Sequence, residues 1–441
     1  MHIVVIGAGA VGSHLAERLS LEGQDVVVIE ANPALAEEVQ SNVDCMVITG
    51  NGASDSVLRD ARIESAGLLI AVTSSDAVNV LACQAAARYG VPRKIARIED
   101  PALRVGSGLA GVDVVIDPGE SLAQELLRLV RKGGVSEIVE FAGGKLSLVG
   151  GFVAPGAPLD GLNLSGLRSS VEGWDWLVTA LVRDGKTRVA RGDTTVQAGD
   201  HVLLMAAGPT SEALRLMGVE EHAARKVIVL GATRSAALAA RMMVDHGIQV
   251  TLIDRDEARC RVLAESDRDL VVICADPTDP RVLSTEGAES ADAVLALTGW
   301  DEVNILGCLI GKALGAEMTA ARFHRFEYVR LLPGVGIDAA VSSRLAAANA
   351  ILRFVRRGHV HSVATFQDTS AEAIELEIDE GGAAAGKTIS GMRLPRTVIV
   401  GGIVRGGDAF VPHGDTELQA GDRLIVFTLP EAIRSVERLF A

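Results

Sequence analysis

The second half of this 441-residue chain repeats the first at an offset of about 225 positions. The repeat begins at the glycine after the first apolar run and reaches the Gly-Asp-Thr turn near the end of each half. A repeat this long indicates tandem duplication of a multi-domain unit rather than a solenoid of short repeats. The pairs that define the offset are Gly7 and Gly231, Glu30 and Asp254, Asn51 and Asp276, Thr73 and Thr298, Arg97 and Arg322, and Asp193 and Asp415.

The start of the first half has the pattern of a phosphate-binding loop. His2 to Ile6 is mostly β-branched and predicts a buried parallel strand, and glycines with G-x-G-x-x-G spacing lead from it into an amphipathic helix. In such a loop the first glycine permits a tight turn, the second lets the backbone approach a pyrophosphate, and the third lets the helix pack on the strand. The helix N-terminus then faces the anion. The loop residues are Gly7, Ala8, Gly9, Ala10, Val11 and Gly12.

A carboxylate follows the second apolar run at the spacing that this loop requires. Glu30 ends the run Val26 to Ile29, where the fold places an acid that accepts hydrogen bonds from ribose hydroxyls. Because a carboxylate repels a 2′-phosphate, Glu30 favours NAD(H) or an adenine nucleotide over NADP(H). Both of the favoured ligands carry an adenosine ribose and a pyrophosphate, so the sequence leaves the two open.

The pattern of predicted strands and helices changes within each half. Strands and helices alternate up to about residue 130, which predicts a parallel sheet wound on both faces, whereas residues 135–205 carry short β-type runs among turns and predict a small α+β domain. With the repeat, the fold class is α/β: two Rossmann-like, doubly wound parallel-sheet domains, each followed by a small α+β domain. The predicted domains are 1–132, 133–220, 221–357 and 358–441, with a linker helix at about 119–132 and 343–357.

Composition excludes several functions. The net charge of −15 argues against a nucleic-acid-binding groove and against direct binding to anionic lipid. The five cysteines show no C-x-x-C pairing and lie mostly in apolar runs, which predicts small core residues of a reduced cytoplasmic protein, with zinc binding or redox chemistry as the lesser alternative and no metal site assigned. No apolar run reaches the roughly 18–20 residues of a membrane-spanning helix.

Further motifs carry a family resemblance. Besides the glycine loop and Glu30, the first half contains Gly50-Asn51-Gly52, the run from Ala71 to Asn79, and Ile95-Ala96-Arg97-Ile98. Together with the duplication they resemble the TrkA family, the cytoplasmic nucleotide-binding (RCK or KTN) subunits of bacterial Trk potassium uptake systems, over essentially the whole chain. The resemblance implies a homo-oligomeric ring, typically a tetramer, that gates a TrkH/TrkG-type transporter at the inner face of the membrane in response to NAD(H) or ATP/ADP.

The resemblance also implies a first nucleotide site. Thr73 and Ser74 follow the fourth strand at the edge where open α/β sheets bind ligands, and Arg97 ends the fifth strand, in reach of a phosphate. Two other readings stay open, because Thr73 to Asp76 also suits a helix cap and Arg97 also suits a surface ion pair. The implied residues are Gly7, Ala8, Gly9, Ala10, Val11, Gly12, Glu30, Asn51, Gly52, Thr73, Ser74 and Arg97.

The second glycine loop departs from the pattern, since only its first glycine is retained. Thr233 places a Cβ where the backbone would meet a pyrophosphate. The second site is therefore expected to be weaker, altered in ligand preference or empty, with Arg234 offering charge in place of backbone contacts. Its implied residues are Gly231, Ala232, Thr233, Arg234, Ser235, Asp254, Asp276, Thr298 and Arg322.

The alternative function is an NAD-dependent oxidoreductase that uses the loop from Gly7 to Gly12. Such an enzyme needs a proton donor aimed at the nicotinamide. The small first domain offers only His201, and the matching residue in the second half is Arg423. We therefore expect a regulatory protein without catalytic residues.

Overall fold

The structure is a computed structural model that describes residues 1–107, 111–132, 135–165, 175–219, 224–324, 335–355, 360–366, 371–429 and 432–440. The described residues form four sheets, two of six strands and two of five. The predicted boundary positions 133–134, 220–223 and 356–359 lie outside the described residues.

The first six-stranded sheet is parallel and has the strand order β3-β2-β1-β4-β5-β6. Alternate residues of its central strand face opposite sides: Ile3 and Val5 enter one core, and Val4 and Ile6 the other. Both faces are thus covered by helices, as expected for a doubly wound sheet. Its elements are β1 His2–Ile6, α1 Ala10–Leu21, β2 Asp25–Glu30, α2 Pro33–Asn42, β3 Met46–Thr49, α3 Asp55–Asp60, β4 Leu68–Ala71, α4 Asp76–Arg88, β5 Lys94–Arg97, α5 Pro101–Ser107, β6 Val114–Ile116 and α6 Pro118–Lys132.

The first five-stranded sheet is antiparallel. One of its strands, β10, was not predicted, because its alternating charged residues suit an exposed edge and carry no apolar run. Arg183 forms a two-point ion pair with the buried Asp200, at 2.6 Å for each hydrogen bond. The elements are β7 Glu137–Phe141, β8 Leu146–Phe152, β9 Trp176–Arg183, β10 Lys186–Val189, β11 His201–Ala207 and α7 Ser211–Leu216.

The second parallel sheet has the same topology as the first, with the order β14-β13-β12-β15-β16-β17. The predicted duplication of the fold is therefore confirmed at the level of strand order. Its elements are β12 Lys226–Leu230, α8 Arg234–Asp245, β13 Gln249–Asp254, α9 Glu257–Ser266, β14 Val271–Cys274, α10 Pro280–Thr285, β15 Ala293–Ala296, α11 Asp301–Leu314, β16 Met318–Arg322, β17 Ala339–Val341 and α12 Ser343–Val355.

The second small sheet matches the first small sheet strand for strand. In each, the order runs first, second, fifth, third and fourth strand of the domain. The Arg183–Asp200 pair recurs as Arg405–Asp422, at 2.7 Å. One core holds side chains of both small sheets, among them Phe141 and Phe427. The elements are β18 Val360–Thr365, β19 Glu372–Glu377, β20 Val398–Arg405, β21 Asp408–Phe410, β22 Arg423–Thr428 and α13 Ile433–Phe440.

The helix α12 follows the second parallel sheet in the chain but packs on the first. Residues 1–121 and 343–355 form one compact unit, and the remaining described residues form the other. Ile351 and Leu352 of α12 share a core with Leu15 and Leu19 of α1. The guanidinium of Arg93 donates to the carbonyl oxygens at the last turn of α12, 3.0 Å from that of Phe354. The helix that starts at the first glycine loop is therefore covered by a segment from the other half of the sequence.

Among the described residues, no helix combines the length and the apolar character needed to cross a membrane.

Candidate functional site

The first glycine loop is built so that two glycines allow packing and one leaves space. A Cβ on Gly12 would lie 1.8 Å from the carbonyl oxygen of Gly7, and a Cβ on Gly7, which has a φ of +100°, would lie 3.0 Å from the amide nitrogen of Thr73. Around Gly9, by contrast, a Cβ would meet no atom of the described residues within 4 Å. Gly9 precedes α1 without a side-chain cap. The N-terminal N–H groups of α1 thus face an open space, as an anion requires.

Glu30 holds this loop in place. One carboxylate oxygen accepts a hydrogen bond from the amide of Ala8 at 2.5 Å, and the other accepts from the amide of Asn32 at 2.8 Å. The predicted ribose acceptor therefore has a second task, since it fixes the backbone that bears the phosphate-facing amides. Asp254 does the same in the second half, where it accepts from Ala232 at 2.5 Å and from Asp256 at 2.8 Å.

A buried asparagine joins the ends of two strands beside the loop. Asn79 accepts from the amide and the hydroxyl of Thr73, at 2.9 and 2.7 Å, and donates to the carbonyl oxygen of Arg97 at 2.8 Å. The helix cap is Ser75, whose hydroxyl accepts from Val78. The structure thus brings Thr73 to the loop, and within the run Thr73 to Asp76 it is Ser75 that caps α4.

The other first-site positions lie along the same sheet edge. Asn51 is exposed, and its side-chain oxygen accepts from the amide of Ala53 at 2.9 Å. Gly52 is buried where a Cβ would approach the Cγ2 of Ile6 to 2.1 Å, so it serves packing. Ser74 is exposed beyond β4.

Arg97 is committed to an ion pair. Its Nε donates to Glu99 at 3.0 Å, and its terminal nitrogen contacts the same carboxylate oxygen. This arrangement matches the ion-pair reading of Arg97. A phosphate would therefore have to compete with Glu99 for the guanidinium.

The second loop caps its own helix. Thr233 occupies the position of Gly9, and its hydroxyl accepts from the amide of Ala236 at 3.3 Å and donates to the carbonyl oxygen of Leu297 at 2.9 Å. The threonine thus satisfies an N–H group that the first loop leaves to a ligand. Arg234 is exposed in the first turn of α8.

Arg322 differs from Arg97 in its partners. The residue that matches Glu99 is His324, which pairs with Asp301 at 2.9 Å. Arg322 donates to the Ser235 hydroxyl at 2.8 Å and lies 3.4 Å from Nε2 of His324, while its buried Nε has no hydrogen-bond partner among the described residues. Burial lowers the pKa of Arg322, and the charge of Asp301 opposes that shift. In the second half the strand-end arginine therefore reaches the N-terminus of the loop helix, and the position of Glu99 is held by a histidine.

A cleft of about 430 Å³ opens at this edge of the second sheet. Hydrogen bonds from the hydroxyl and amide of Thr278 lower the pKa of Asp276. Trp300 is 65% exposed and stands where the first half has Ser75. The lining residues are Thr233, Asp254, Arg255, Asp256, Arg259, Asp276, Pro277, Thr278, Thr298, Gly299, Trp300 and Val303. Among the described residues, no group of three or more His, Cys, Asp or Glu side chains is arranged to hold a metal ion.

Sequence reasoning did not assign a role to the asparagine at the strand ends. Asn304 repeats every contact of Asn79: it accepts from Thr298 at 2.8 and 2.7 Å and donates to the carbonyl oxygen of Arg322 at 2.8 Å. The signal was present, because Asn79 and Asn304 are matched in the repeat.

The four sheets, with their repeated strand orders, have the fold of known structures. The GsuK channel bound to NAD aligns over 100% of this chain and 78% of its own, with a TM-score of 0.61 and 22% identity. The GsuK RCK domain aligns over 100% of this chain and 94% of its own, with a TM-score of 0.59 and 21% identity.

The sequence comparisons give the family. The TrkA-N domain matches residues 3–118 and 227–343, and the TrkA-C domain matches residues 373–441. The Trk system potassium uptake protein TrkA of Halomonas elongata is 34% identical over 452 residues, covering 100% of this chain and 98% of that protein. The TrkA homolog of Archaeoglobus fulgidus is 34% identical over 445 residues, covering all of both. The chain belongs to the TrkA family of Trk system potassium uptake proteins, so the predicted family and potassium-uptake function are confirmed.

Proposed function

We propose that this chain gates a TrkH/TrkG-type potassium transporter by binding NAD(H) or an adenine nucleotide, ATP or ADP. The observation that carries the proposal is the first glycine loop, whose open Gly9 and uncapped helix α1 leave backbone N–H groups directed at empty space. A ligand with a pyrophosphate fits that chemistry, because helix N-termini bind anions. NAD and ADP are named as ligands of the GsuK channel in two related folds.

In the first site the loop from Gly7 to Gly12 would hold the phosphates. Glu30 would accept from the ribose while it retains the Ala8 amide, since a carboxylate offers about four acceptor sites. Asn51, Gly52, Thr73, Ser74 and Arg97 would complete the edge. The Arg97–Glu99 pair would reorganise when a phosphate arrives, since phosphate and carboxylate both bind guanidinium in a two-point geometry.

In the second site a ligand would meet a capped helix and Arg322, beside which a histidine takes the place of the glutamate that pairs with Arg97. Thr233 lowers the affinity for a pyrophosphate by satisfying the Ala236 amide, whereas Arg322 and Ser235 offer donors of their own. The rim also carries Arg255 and Arg259, where the first half has alanine and leucine. The second site is therefore altered in preference, with cationic side chains replacing backbone amides.

The route from ligand to transporter starts at α1. This helix begins at the first loop and shares a core with α12, so a ligand that shifts the start of α1 also shifts α12. A ligand changes the population of two ring shapes only if it binds them with different affinity. The α1–α12 contact supplies the place where that difference arises.

We propose further that the chain has no catalytic residues. His201, the proton donor that an oxidoreductase would need, is 4% exposed and lies 2.6 Å from the hydroxyl of Ser136. A panel of carbonyl substrates with NADH should leave the nicotinamide absorbance constant, and steady turnover would contradict this part of the proposal.

The assembly is proposed to be a homotetrameric ring on the cytoplasmic face of the membrane, without nucleic acid. The chain would contribute the four domains 1–132, 133–220, 221–357 and 358–441. The duplicated strand orders support this division.

The test is potassium flux in proteoliposomes that contain the transporter and this protein, with each nucleotide in turn. We expect flux to differ between NADH, NAD⁺, ATP and ADP, and the difference to disappear in Gly9→Trp, which fills the open space of the first loop. Identical flux with every nucleotide would reject gating.

A further inference from the structure

Two cysteines lie on adjacent segments at the carboxyl edge of the second parallel sheet. Cys260 in α9 is 5% exposed, and its thiol donates to the carbonyl oxygen of Asp254 at 3.3 Å. The same sulfur lies 3.9 Å from the carbonyl oxygen of Ile273, the residue before Cys274 at the end of β14. The strand pairing places the two cysteines side by side, because Cys274 pairs in register with Asp254. Cys274 itself is exposed.

The pair belongs to the second half alone. The matching residues in the first half are Ala36 and Thr49. The two cysteines that the repeat does share, Cys83 and Cys308, are buried core residues whose pKa burial raises to about 12. A duplicated scaffold thus carries a dithiol at one of its two nucleotide-site edges.

We propose that Cys260 and Cys274 are a redox-modification site for hydrogen peroxide, and that their disulfide tightens the rim of the second cleft. Intracellular disulfides of this kind are usually transient and sensory rather than structural. The proposal depends on the proposed function only in that the cleft is taken to hold a nucleotide.

The chemistry balances with peroxide as the only oxidant. The exposed Cys274 sulfur attacks one peroxide oxygen, the O–O bond breaks, and water leaves after a proton is taken up, which gives a sulfenic acid. The Cys260 sulfur then attacks the Cys274 sulfur, the S–O bond breaks, and a second water leaves. Two thiols and one peroxide thus become one disulfide and two waters. Burial raises the pKa of Cys260 to about 11, so Cys274 reacts first and Cys260 resolves it.

The disulfide would act on the rim of the cleft. Oxidation removes the hydrogen bond from Cys260 to the Asp254 carbonyl and ties α9 to the end of β14. Asp256 caps α9 by accepting from Arg259 at 3.1 Å, and Asp276 stands two residues beyond Cys274. The cleft is lined by Asp256, Arg259 and Asp276. The crosslink therefore joins the two segments that form its rim.

The first measurement is peptide mapping by mass spectrometry of the full chain after treatment with hydrogen peroxide and alkylation. We expect a Cys260–Cys274 crosslink, a mass loss of about 2 Da and a fall from five free thiols to three per chain. Reductant should restore all five. Cys45→Ser, which changes a cysteine outside the pair, should behave as the unchanged protein, whereas Cys274→Ser should retain its Cys260 thiol. Oxidation of Cys274 to sulfinic acid without a crosslink would overturn the proposal.

The second measurement is hydrogen exchange of the oxidised and reduced chain. Peptides covering residues 254–279 should exchange several-fold more slowly when oxidised, and the matched first-half peptides covering 30–54 should not change. A crosslink with equal exchange in both states would overturn the claim about the rim. If the reduced protein bound no nucleotide, the proposed function would be contradicted instead. Peptide mapping and hydrogen exchange do not depend on nucleotide binding, so the two failures are distinguishable.

Discussion

The two parallel-sheet domains share their framework and differ in their glycine loops. In both, an acid holds the loop amide and a buried asparagine joins two strand ends, with contacts that agree to within about 0.1 Å. The loops differ, because Gly9 leaves the helix N-terminus open and Thr233 caps it. The duplicated chain has thus kept the residues that hold the loop and the strand ends, and has changed the residue at the start of the loop helix.

The largest expected effect concerns the third glycine of the first loop. Gly12→Ala places a Cβ 1.8 Å from the Gly7 carbonyl oxygen, so we expect a cost of about 3 kcal/mol, the upper end for overpacking. Ala236 occupies the matched position in the second half, so Ala236→Gly should cost much less. Urea unfolding followed by circular dichroism measures both. Equal unfolding midpoints for the two variants would contradict the asymmetry.

Acid should loosen the α1–α12 contact beside the first loop. Burial, and then the charges of Arg18 and Arg344, lower the pKa of His14 from 6.5 to about 4. Between pH 6.5 and 4 the unfolded chain takes up a proton that the folded chain refuses, so stability falls as pH falls through this range. The loss amounts to about 2 kcal/mol after allowance for partial exposure.

Leu238 in the second half occupies the position of His14, so the variant His14→Leu is the control for this acid effect. In His14→Leu the part of the pH dependence between 6.5 and 4 should be absent, whereas the contribution of carboxylates at lower pH should remain. Denaturation midpoints measured across pH 4 to 7 decide the matter. An unaltered profile in His14→Leu would show that this histidine does not contribute.

Removal of the carboxylate that holds the glycine loop should weaken nucleotide binding more in the first site than in the second. Glu30→Ala removes the acceptor of the Ala8 amide and the proposed ribose acceptor, so we expect nucleotide affinity to fall by about 10-fold or more. Asp254→Ala should change the tighter binding phase little. Calorimetric titration of both variants compares them, and a larger loss in Asp254→Ala would reverse the proposed ranking of the sites.

The smallest effect should come from uncapping the second helix. Thr233→Gly frees the Ala236 amide and places a glycine where the first loop has Gly9. The affinity of the second loop for an anion should therefore rise by about 3-fold. Trp300 lines that cleft, so its fluorescence reports the titration, with Trp300→Phe as the control for signal. Affinity that is unchanged or lower would mean that the cap does not limit binding.

Much of this architecture could be predicted from the sequence because it is locally encoded. The run His2 to Ile6 is strand β1, and the linker pattern near 343–357 is helix α12. Nothing local showed that α12 packs on the other half, because that choice depends on tertiary contacts such as Ile351 with Leu15. The role of Asn79 was hidden for the same reason, since its partners lie on two strands separated in the chain.

At the site itself, the sequence predicted the loop positions but not their partners. The requirement for Gly12 follows from the motif, and the structure supplies the clash that enforces it. The pairing of Arg97 with Glu99 and of Arg322 with Ser235 depends on rotamers, which spacing does not encode.

The most direct test of the central claim, that one chain holds two unequal nucleotide sites, is calorimetric titration of matched blocking variants with NADH and with ADP. Gly9→Trp blocks the first loop and Thr233→Trp the second. We predict that Gly9→Trp abolishes the tighter binding phase and that Thr233→Trp preserves it. Tight binding that survives Gly9→Trp, or equal losses in the two variants, would contradict the account.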